Sequence, residues 1–361
     1  MAHRETLLEG LVTMFWQGRR VFLTGHTGFK GAWLSLWLNL LGADVTGYAL
    51  KPPTSPNLYD LAGVGDTVHS HIADIRDPEA LERAMAGSRA EIAVHMAAQS
   101  LVRPSYIDPV TTYETNIMGT VHFLEAVRRS PGIRSALIVT SDKCYQNDGE
   151  NHTEGDPMGG RDPYASSKGC AELITAAYRD SYFSAHGNNG IAVAAARAGN
   201  VIGGGDWGAD RLLPDCIRAL ENGRPIPVRN PNAIRPWQHV LDCLRGYLLL
   251  LENLYREGPA CGGAYNFGPG EGEAHSAEWV AQRVCAAWGQ GASCAVNREK
   301  NAPAEAPVLR LNSAKSRREL GWAPRLSAAQ AIDWTVEWYK RYRHISPAAL
   351  CEEQIRAYRE E

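Results

Sequence analysis

Apolar and polar positions along this chain follow two periods, one of strands and one of helices, which take turns from residue 20 to about residue 197. Val21, Phe22 and Leu23 form an unbroken apolar run within Arg20–Thr24. Strands buried on both faces of a parallel sheet carry such runs. Residues 32–41 then place Trp33, Leu34, Trp37, Leu38 and Leu41 at helical spacing, and Gly42 supplies a stop. Asp44–Ala49 reads as a second strand and His69–Ile72 as a short third one, just ahead of Asp74. The pattern continues with strands at 91–95, 135–140 and 191–197 and helices at 78–85, 111–129 and 164–184. Repeated β–α alternation predicts an α/β protein with a doubly wound parallel sheet and right-handed crossovers.

After Arg197 the texture changes. Gly203-Gly204-Gly205, several prolines and the glycine-rich stretch 258–272 break the alternation, and 239–253 reads as a helix between them. The expected organisation is a dinucleotide-binding domain over 15–198 with a return segment at 237–256. A smaller, loop-rich C-terminal substrate lobe is expected from 199–236 and 257–345. The 361 residues, 44% hydrophobic and 21% charged, suffice for a large buried core. A net charge of -3 argues against nucleic acid or an anionic membrane as partner. The eight cysteines form no C-x-x-C pair and no cluster with zinc spacing, so no metal site is expected. They read as reduced thiols of a cytoplasmic protein. Arg4, Glu5 and Glu9 precede any apolar run, unlike a signal peptide, and no apolar run spans a bilayer.

Residues 24–31 read T-G-H-T-G-F-K-G. Gly25, Gly28 and Gly31 recur every third residue after a strand and at a helix start. A pyrophosphate needs to approach backbone N–H groups at a helix N-terminus, where a β-carbon would be in the way. The context is that of a Rossmann-type dinucleotide loop. The end of the second strand usually gives an acidic residue to the adenosine ribose. Here it reads Tyr48-Ala49-Leu50-Lys51. Lys51 meets either a 2′-phosphate or solvent, so NAD is expected with NADP left open. Asp74 either contacts adenine or caps the helix that starts at Pro78.

Tyr164 and Lys168 share a helix face at i and i+4. A tyrosine of pKa ~10 is a poor base at neutral pH. A neighbouring ammonium and a cationic nicotinamide lower that value and make it a proton acceptor. Thr140 and Ser141 lie at a strand end, where ligands of parallel sheets bind, and Ser141 is placed to hydrogen-bond a reacting hydroxyl. Asp142 and Lys143 follow at once. A charged pair at the end of an apolar strand is either an exposed ion pair or a functional one.

Seven motifs together resemble one family. They are the glycine loop, H-M-A-A-Q (95–99), T-N-I-M-G-T (115–120), T-S-D-K-C-Y (140–145), D-P-Y-A-S-S-K (162–168), R-A-G-N-V-I-G-G-G-D-W (197–207) and R-P-W-Q-H-V (235–240). Over roughly residues 15–340 the chain is similar to the CDP-glucose 4,6-dehydratases, which are extended short-chain dehydrogenase/reductases. The resemblance implies that NAD oxidises C4 of the glucose ring, water leaves across C5–C6, and the hydride returns to C6. It implies Tyr164 as the C4 base with Lys168 and Ser141 assisting, and Asp142 as the acid for the departing hydroxyl. Lys143 stands where dTDP-glucose dehydratases place a glutamate base. The implied cofactor contacts are Gly25, Thr27, Gly28, Phe29, Gly31, Asp74, Ile75, Ala97, Ala98, Gln99, Asn116, Thr140 and Arg197, besides Tyr164 and Lys168. The implied substrate contacts are Ser100, Arg103, Asn200, Arg211, Arg235 and His239, although a packed structural role competes for His239. The partner is CDP-glucose or a related nucleotide sugar, and a homodimer is a family expectation.

Lys143 is awkward as a base. A lysine of pKa ~10.4 is a cation at pH 7, and a shift of about three units costs roughly 4 kcal/mol. The charged form would instead stabilise an enolate. A 4-epimerase shares the cofactor loop and the Tyr/Lys pair but needs no elimination pair at Asp142-Lys143. A non-catalytic nicotinamide sensor would not need Tyr164 and Lys168 intact.

Overall fold

The computed structural model describes residues 14–146, 149, 151–184, 190–297 and 307–360. Seven strands form the main sheet: β1 (Arg20–Thr24), β2 (Asp44–Ala49), β3 (His69–Ile72), β4 (Ile92–His95), β5 (Ser135–Val139), β6 (Ala192–Ala198) and β7 (Gly263–Phe267). Their order is β3-β2-β1-β4-β5-β6-β7, and every neighbouring pair runs parallel. The winding reverses direction between β1 and β4. A crevice therefore opens there at the carboxyl edge.

Alternate side chains of β1 feed two separate cores. Val21 and Leu23 join the larger apolar cluster on one face, and Phe22 joins the second cluster on the other. Helices cover both faces: α1 (Phe29–Leu40), α2 (Pro78–Ser88), α3 (Gly119–Arg128), α4 (Pro163–Tyr178) and α6 (Val240–Glu257) around the sheet. Further helices include α5 (Leu212–Glu221), α7 (Ala277–Trp288), α8 (Ala328–Arg341) and α9 (Pro347–Glu360). Small ribbons brace the later segments, including the antiparallel pair Ile234–Pro236 with Ala274–Ser276. Among the described residues no helix is long and apolar enough to cross a membrane.

The structure differs from the sequence reading at four places. First, α1 begins at Phe29 with Gly28 as its N-cap, so the glycine loop itself is the first turn of the helix. Second, the helices expected at 111–129 and 164–184 are each interrupted by a π turn, at Glu114–Met118 and Arg179–Phe183. In the first interruption Asn116 is drawn inward by bonds to Gln99 and Ser167. Third, Gly263–Phe267, assigned above to the smaller lobe, is the edge strand of the main sheet, with Phe267 buried against Tyr247 and Trp322. Fourth, the chain beyond residue 345 forms α9, whose Tyr358 packs edge-on to Trp37 of α1 at 5.9 Å. That contact explains why α1 is apolar on nearly all sides.

Candidate active site

The carboxyl edge of the sheet forms one wall of a cleft of about 1080 Å³. Residues directly after six strands reach it: Gly25, Leu50, Ala73, Met96, Thr140 and Gly199. Segments 203–215 and 227–235 form the opposite wall.

The glycine loop at its floor is sterically exact where it touches protein and open where it faces the cleft. Gly25 has φ +78°, and a Cβ there would lie 2.7 Å from the backbone nitrogen of Ala97. A Cβ on Gly31 would lie 2.0 Å from the Gly25 carbonyl oxygen. At Gly28 the nearest atom is that same oxygen at 3.4 Å, so this residue's smallness leaves room toward the cleft. A pyrophosphate fits that space, over the N-terminus of a 12-residue helix. Thr27 donates to the Leu50 carbonyl at 2.8 Å, and Phe29 lines the floor. The adjoining turn is fixed from below. Thr24 Oγ1 accepts from the backbone N–H groups of Met96 and Ala97 at 3.0 and 3.1 Å, and bonds His95 Nδ1 at 2.9 Å.

Asp74 lines the cleft beside Ile75 and is gripped by the Arg76 guanidinium, which holds its carboxyl below the ordinary range. It does not cap α2: Asp77 does, accepting from Ala80 N at 2.9 Å. Ala97, Ala98 and Gln99 line the cleft, whereas Asn116 lies behind them. Its amide brackets the Gln99 backbone at 2.9 and 3.0 Å and donates to Ser167 at 2.8 Å. The expected cofactor contact at Asn116 is thus a brace for the loop. Arg197 is likewise absent from the cleft, because Glu172 and Tyr145 hold its guanidinium in the interior at 2.7 Å each.

Asp162 caps α4 and Pro163 occupies its first turn, which starts the helix one residue before Tyr164. Tyr164, Lys168, Ser141, Asp142 and Lys143 all face the same cleft. The Tyr164 hydroxyl is hydrogen-bonded to Ser141, but burial pushes the phenol up to about 12. This is opposite to the lowering expected from Lys168, and desolvation is the reason. Lys168 is brought down to about 8 by burial and then by the nearby Lys30, with Glu172 opposing. Lys168 Nζ donates to the Val139 carbonyl at 3.4 Å. The Thr140 hydroxyl donates to Glu172 and so serves the scaffold, although the residue lines the cleft. Ser141 caps a 3₁₀ turn, Asp142–Cys144, and donates to Asp142 Oδ1 at 2.9 Å. Burial raises the Asp142 carboxyl, with Lys143 and Arg235 opposing. Its other oxygen has no protein partner. A buried carboxyl held toward its neutral form is suited to donate a proton. Lys143 Nζ lies 6.0 Å from the Tyr164 ring centroid.

On the facing wall, Arg211 bonds Asp206 at 2.9 Å and reaches across to Ser100 Oγ at 3.0 Å. Arg103 lies 3.7 Å from Asp210. Asn200 lines the cleft, and Arg235 is buried there with NH1 on the Ile234 carbonyl at 2.9 Å. His239 does not line it. Its Nδ1 accepts from Leu241 N at 3.3 Å as the N-cap of α6, between Trp33 and Trp334, and burial lowers its pKa to about 3. The packed role is the one the structure has.

Sequence reasoning missed two charged residues, half-buried Lys30 and buried Glu172. Lys30 sits inside the glycine motif, lines the cleft and donates to Tyr247 OH at 3.4 Å. A cation among glycines at a helix start was the available signal. Glu172 continues the Tyr164–Lys168 face at i+8, a spacing the sequence displays.

A switch-point cleft with a glycine loop at the start of α1 and a Tyr/Lys pair on α4 defines an extended short-chain dehydrogenase/reductase. Residues 22–335 match the family described as GDP-mannose 4,6 dehydratase. Over 341 residues the chain is 47% identical to the CDP-glucose 4,6-dehydratase of Salmonella typhimurium, covering 93% of this chain and 95% of that one. A double mutant of the Streptomyces venezuelae dTDP-glucose 4,6-dehydratase, solved with NAD bound, is 26% identical. It superposes with a TM-score of 0.75 over 90% of this chain and 98% of its own. The Thermus thermophilus UDP-glucose 4-epimerase complex with NAD is 25% identical, with a TM-score of 0.75 over 89% and 99% of the two chains. This chain belongs to the nucleotide-sugar 4,6-dehydratase family and, within it, to the CDP-glucose 4,6-dehydratases.

Proposed function

We propose that this chain dehydrates CDP-glucose to CDP-4-keto-6-deoxyglucose with NAD as a regenerated cofactor. The observation that carries the reading is a buried acid, Asp142, in the same cleft as the Tyr164–Lys168 pair. An epimerase has use for the pair but not for the acid. NAD held at Gly25, Gly28, Asp74 and Ile75 would supply the hydride acceptor for C4 and the hydride donor for C6. Tyr164 takes the C4 hydroxyl proton, Ser141 orients that hydroxyl, and the Lys168 ammonium stabilises the phenolate. The C5 proton then passes to solvent water while the Lys143 ammonium stabilises the enolate that forms. Asp142 protonates the C6 hydroxyl, which leaves as water, and C5 regains a proton as C6 takes the hydride. Arg211 and Arg235 meet the diphosphate, a use to which guanidinium groups are suited. Asn200, Ser100 and Arg103 complete that wall. Support for NAD over NADP comes from the related NAD complexes.

The test is to incubate the protein with CDP-glucose, and separately with dTDP-, UDP- and GDP-sugars, at catalytic NAD. An alkali-absorbing 4-keto-6-deoxy product from CDP-glucose is expected. Loss of water from none of them overturns the reading. A homodimer in the cytoplasm completes the proposal. Ile107, Val110 and Leu173 expose large apolar side chains on neighbouring elements around α4, and the eight cysteines are free thiols. A monomeric mass in solution would count against the dimer.

A further inference from the structure

Ser141, Asp142 and Lys143 ride on one short turn, and both ends of that turn are tied to the same buried ion pair. At one end the Thr140 hydroxyl donates to Glu172 Oε1. At the other, the Tyr145 hydroxyl accepts from Arg197 NH1 at 2.7 Å and donates to Asn266 Oδ1 at 2.7 Å. Glu172 Oε2 and Arg197 NH2 close the ring at 2.7 Å, with side chains only 4% and 5% exposed. The Arg197 guanidinium lies 4.9 Å from the Tyr145 ring centroid, and the same ring stacks on His152 at 4.7 Å. Asn266, on β7, anchors the assembly by donating to the His152 and Asn312 carbonyls at 3.0 and 3.1 Å.

The three elements in this ring are those whose relative placement the chemistry needs. Glu172 is on α4, one turn beyond Lys168 and two beyond Tyr164. Arg197 is on β6, and residues 140–145 follow β5. A buried ion pair is weak evidence for stability, since apolar replacement is often neutral. Geometry is the better account of this one. We propose that Glu172 and Arg197 form a positioning clamp that fixes the turn bearing Asp142 and Lys143 against the helix bearing Tyr164 and Lys168. The clamp rests on the dehydratase reading, because it assigns elimination to the turn and C4 oxidation to the helix.

Breaking the buried pair outright risks misfolding, so the test cuts only its ties to the turn. Thr140→Val and Tyr145→Phe each remove one hydroxyl and leave Glu172 and Arg197 paired. Two rates and one affinity are compared with the parent: rapid-mixing reduction of the bound cofactor by CDP-glucose, product formation, and NAD binding by titration. A misplacement of about 1 Å costs on the order of 100-fold in rate. Product formation should therefore fall by at least about 10-fold while cofactor reduction and NAD affinity stay within about 3-fold. Reduced cofactor should then build up during turnover. A fall of both half-reactions by one common factor would mark a purely structural role and overturn the clamp, as would undiminished product formation. Failure of the parent protein to dehydrate any nucleotide sugar overturns the functional reading instead.

Discussion

Gly31 and Gly25 touch backbone to backbone, with a Cβ on Gly31 falling 2.0 Å from the Gly25 carbonyl oxygen. The first turn of α1 is thereby seated on the end of β1. Gly31→Ala has to lift the helix, and a loss of roughly 1–3 kcal/mol of stability is expected, with weakened NAD binding. Gly28→Ala meets protein only at 3.4 Å. It should melt within a few degrees of the parent and still bind NAD poorly, because its methyl enters the space left for the pyrophosphate. Thermal melts and NAD titrations of the two variants check the contrast. Tight NAD binding by Gly28→Ala would remove the pyrophosphate from this loop.

Asp142 and Lys143 should separate elimination from oxidation. A general acid contributes on the order of 100-fold or more to its step. Asp142→Asn keeps the acceptor for Ser141 but has no proton to give. It should lower product formation by about that factor while CDP-glucose still reduces the bound cofactor. Lys143→Met should retain cofactor binding and lose elimination. Normal dehydration by Lys143→Met would remove that residue from the chemistry.

The strands were legible because parallel strands buried on both faces leave unbroken apolar runs, as Val21, Phe22 and Leu23 do. Helix interruptions were not. The π turn at Glu114–Met118 depends on Asn116 bonding Gln99 and Ser167, which are distant in sequence and invisible to a local pattern. The same limit explains Arg197 and His239. Each lies in a motif whose neighbours face the cleft, yet the pleat of β6 and the cap of α6 turn these two side chains inward. Residues within a few positions of a strand end, such as Ser141 and Asp142, were readable because topology alone puts them at the carboxyl edge.

Lys168 sets a pH limit. Burial and Lys30 bring it down to about 8, while Glu172 and Cys144 act to keep it charged. Buried His95 also faces it and is held neutral, with a pKa of about 3. The charged ammonium is the form that stabilises the Tyr164 phenolate. The turnover rate should therefore fall as pH rises through about 8. Lys30→Met removes a neighbouring cation and should move that alkaline limb upward. A kcat profile measured at saturating CDP-glucose and NAD tests both, and an alkaline limb unchanged by Lys30→Met would contradict the coupling.

Asp242 gives a stability prediction of opposite sign to that of an ordinary ion-paired carboxylate. It lies on α6, where Oδ1 accepts from Arg325 N and from Tyr358 OH at 2.7 Å each, joining α6 to α9. Burial raises its pKa from 3.8 to about 6, against the lowering effect of those bonds and of Arg245. Between these two values the unfolded chain has lost the proton and the folded chain keeps it. The folded state then binds more protons, so stability declines as pH rises through this window. At pH 7 the buried charge costs roughly 3 kcal/mol relative to an unshifted carboxyl. Asp242→Asn keeps an acceptor oxygen for Arg325 and Tyr358 and carries no charge. It should flatten the dependence between about pH 4 and 6 and be at least as stable as the parent at pH 7. Urea unfolding across that range decides the matter. A variant less stable at pH 7, with the pH slope unchanged, would mean that Asp242 is already fully ionised in the folded chain and that its charge, not its shape, holds α9 in place.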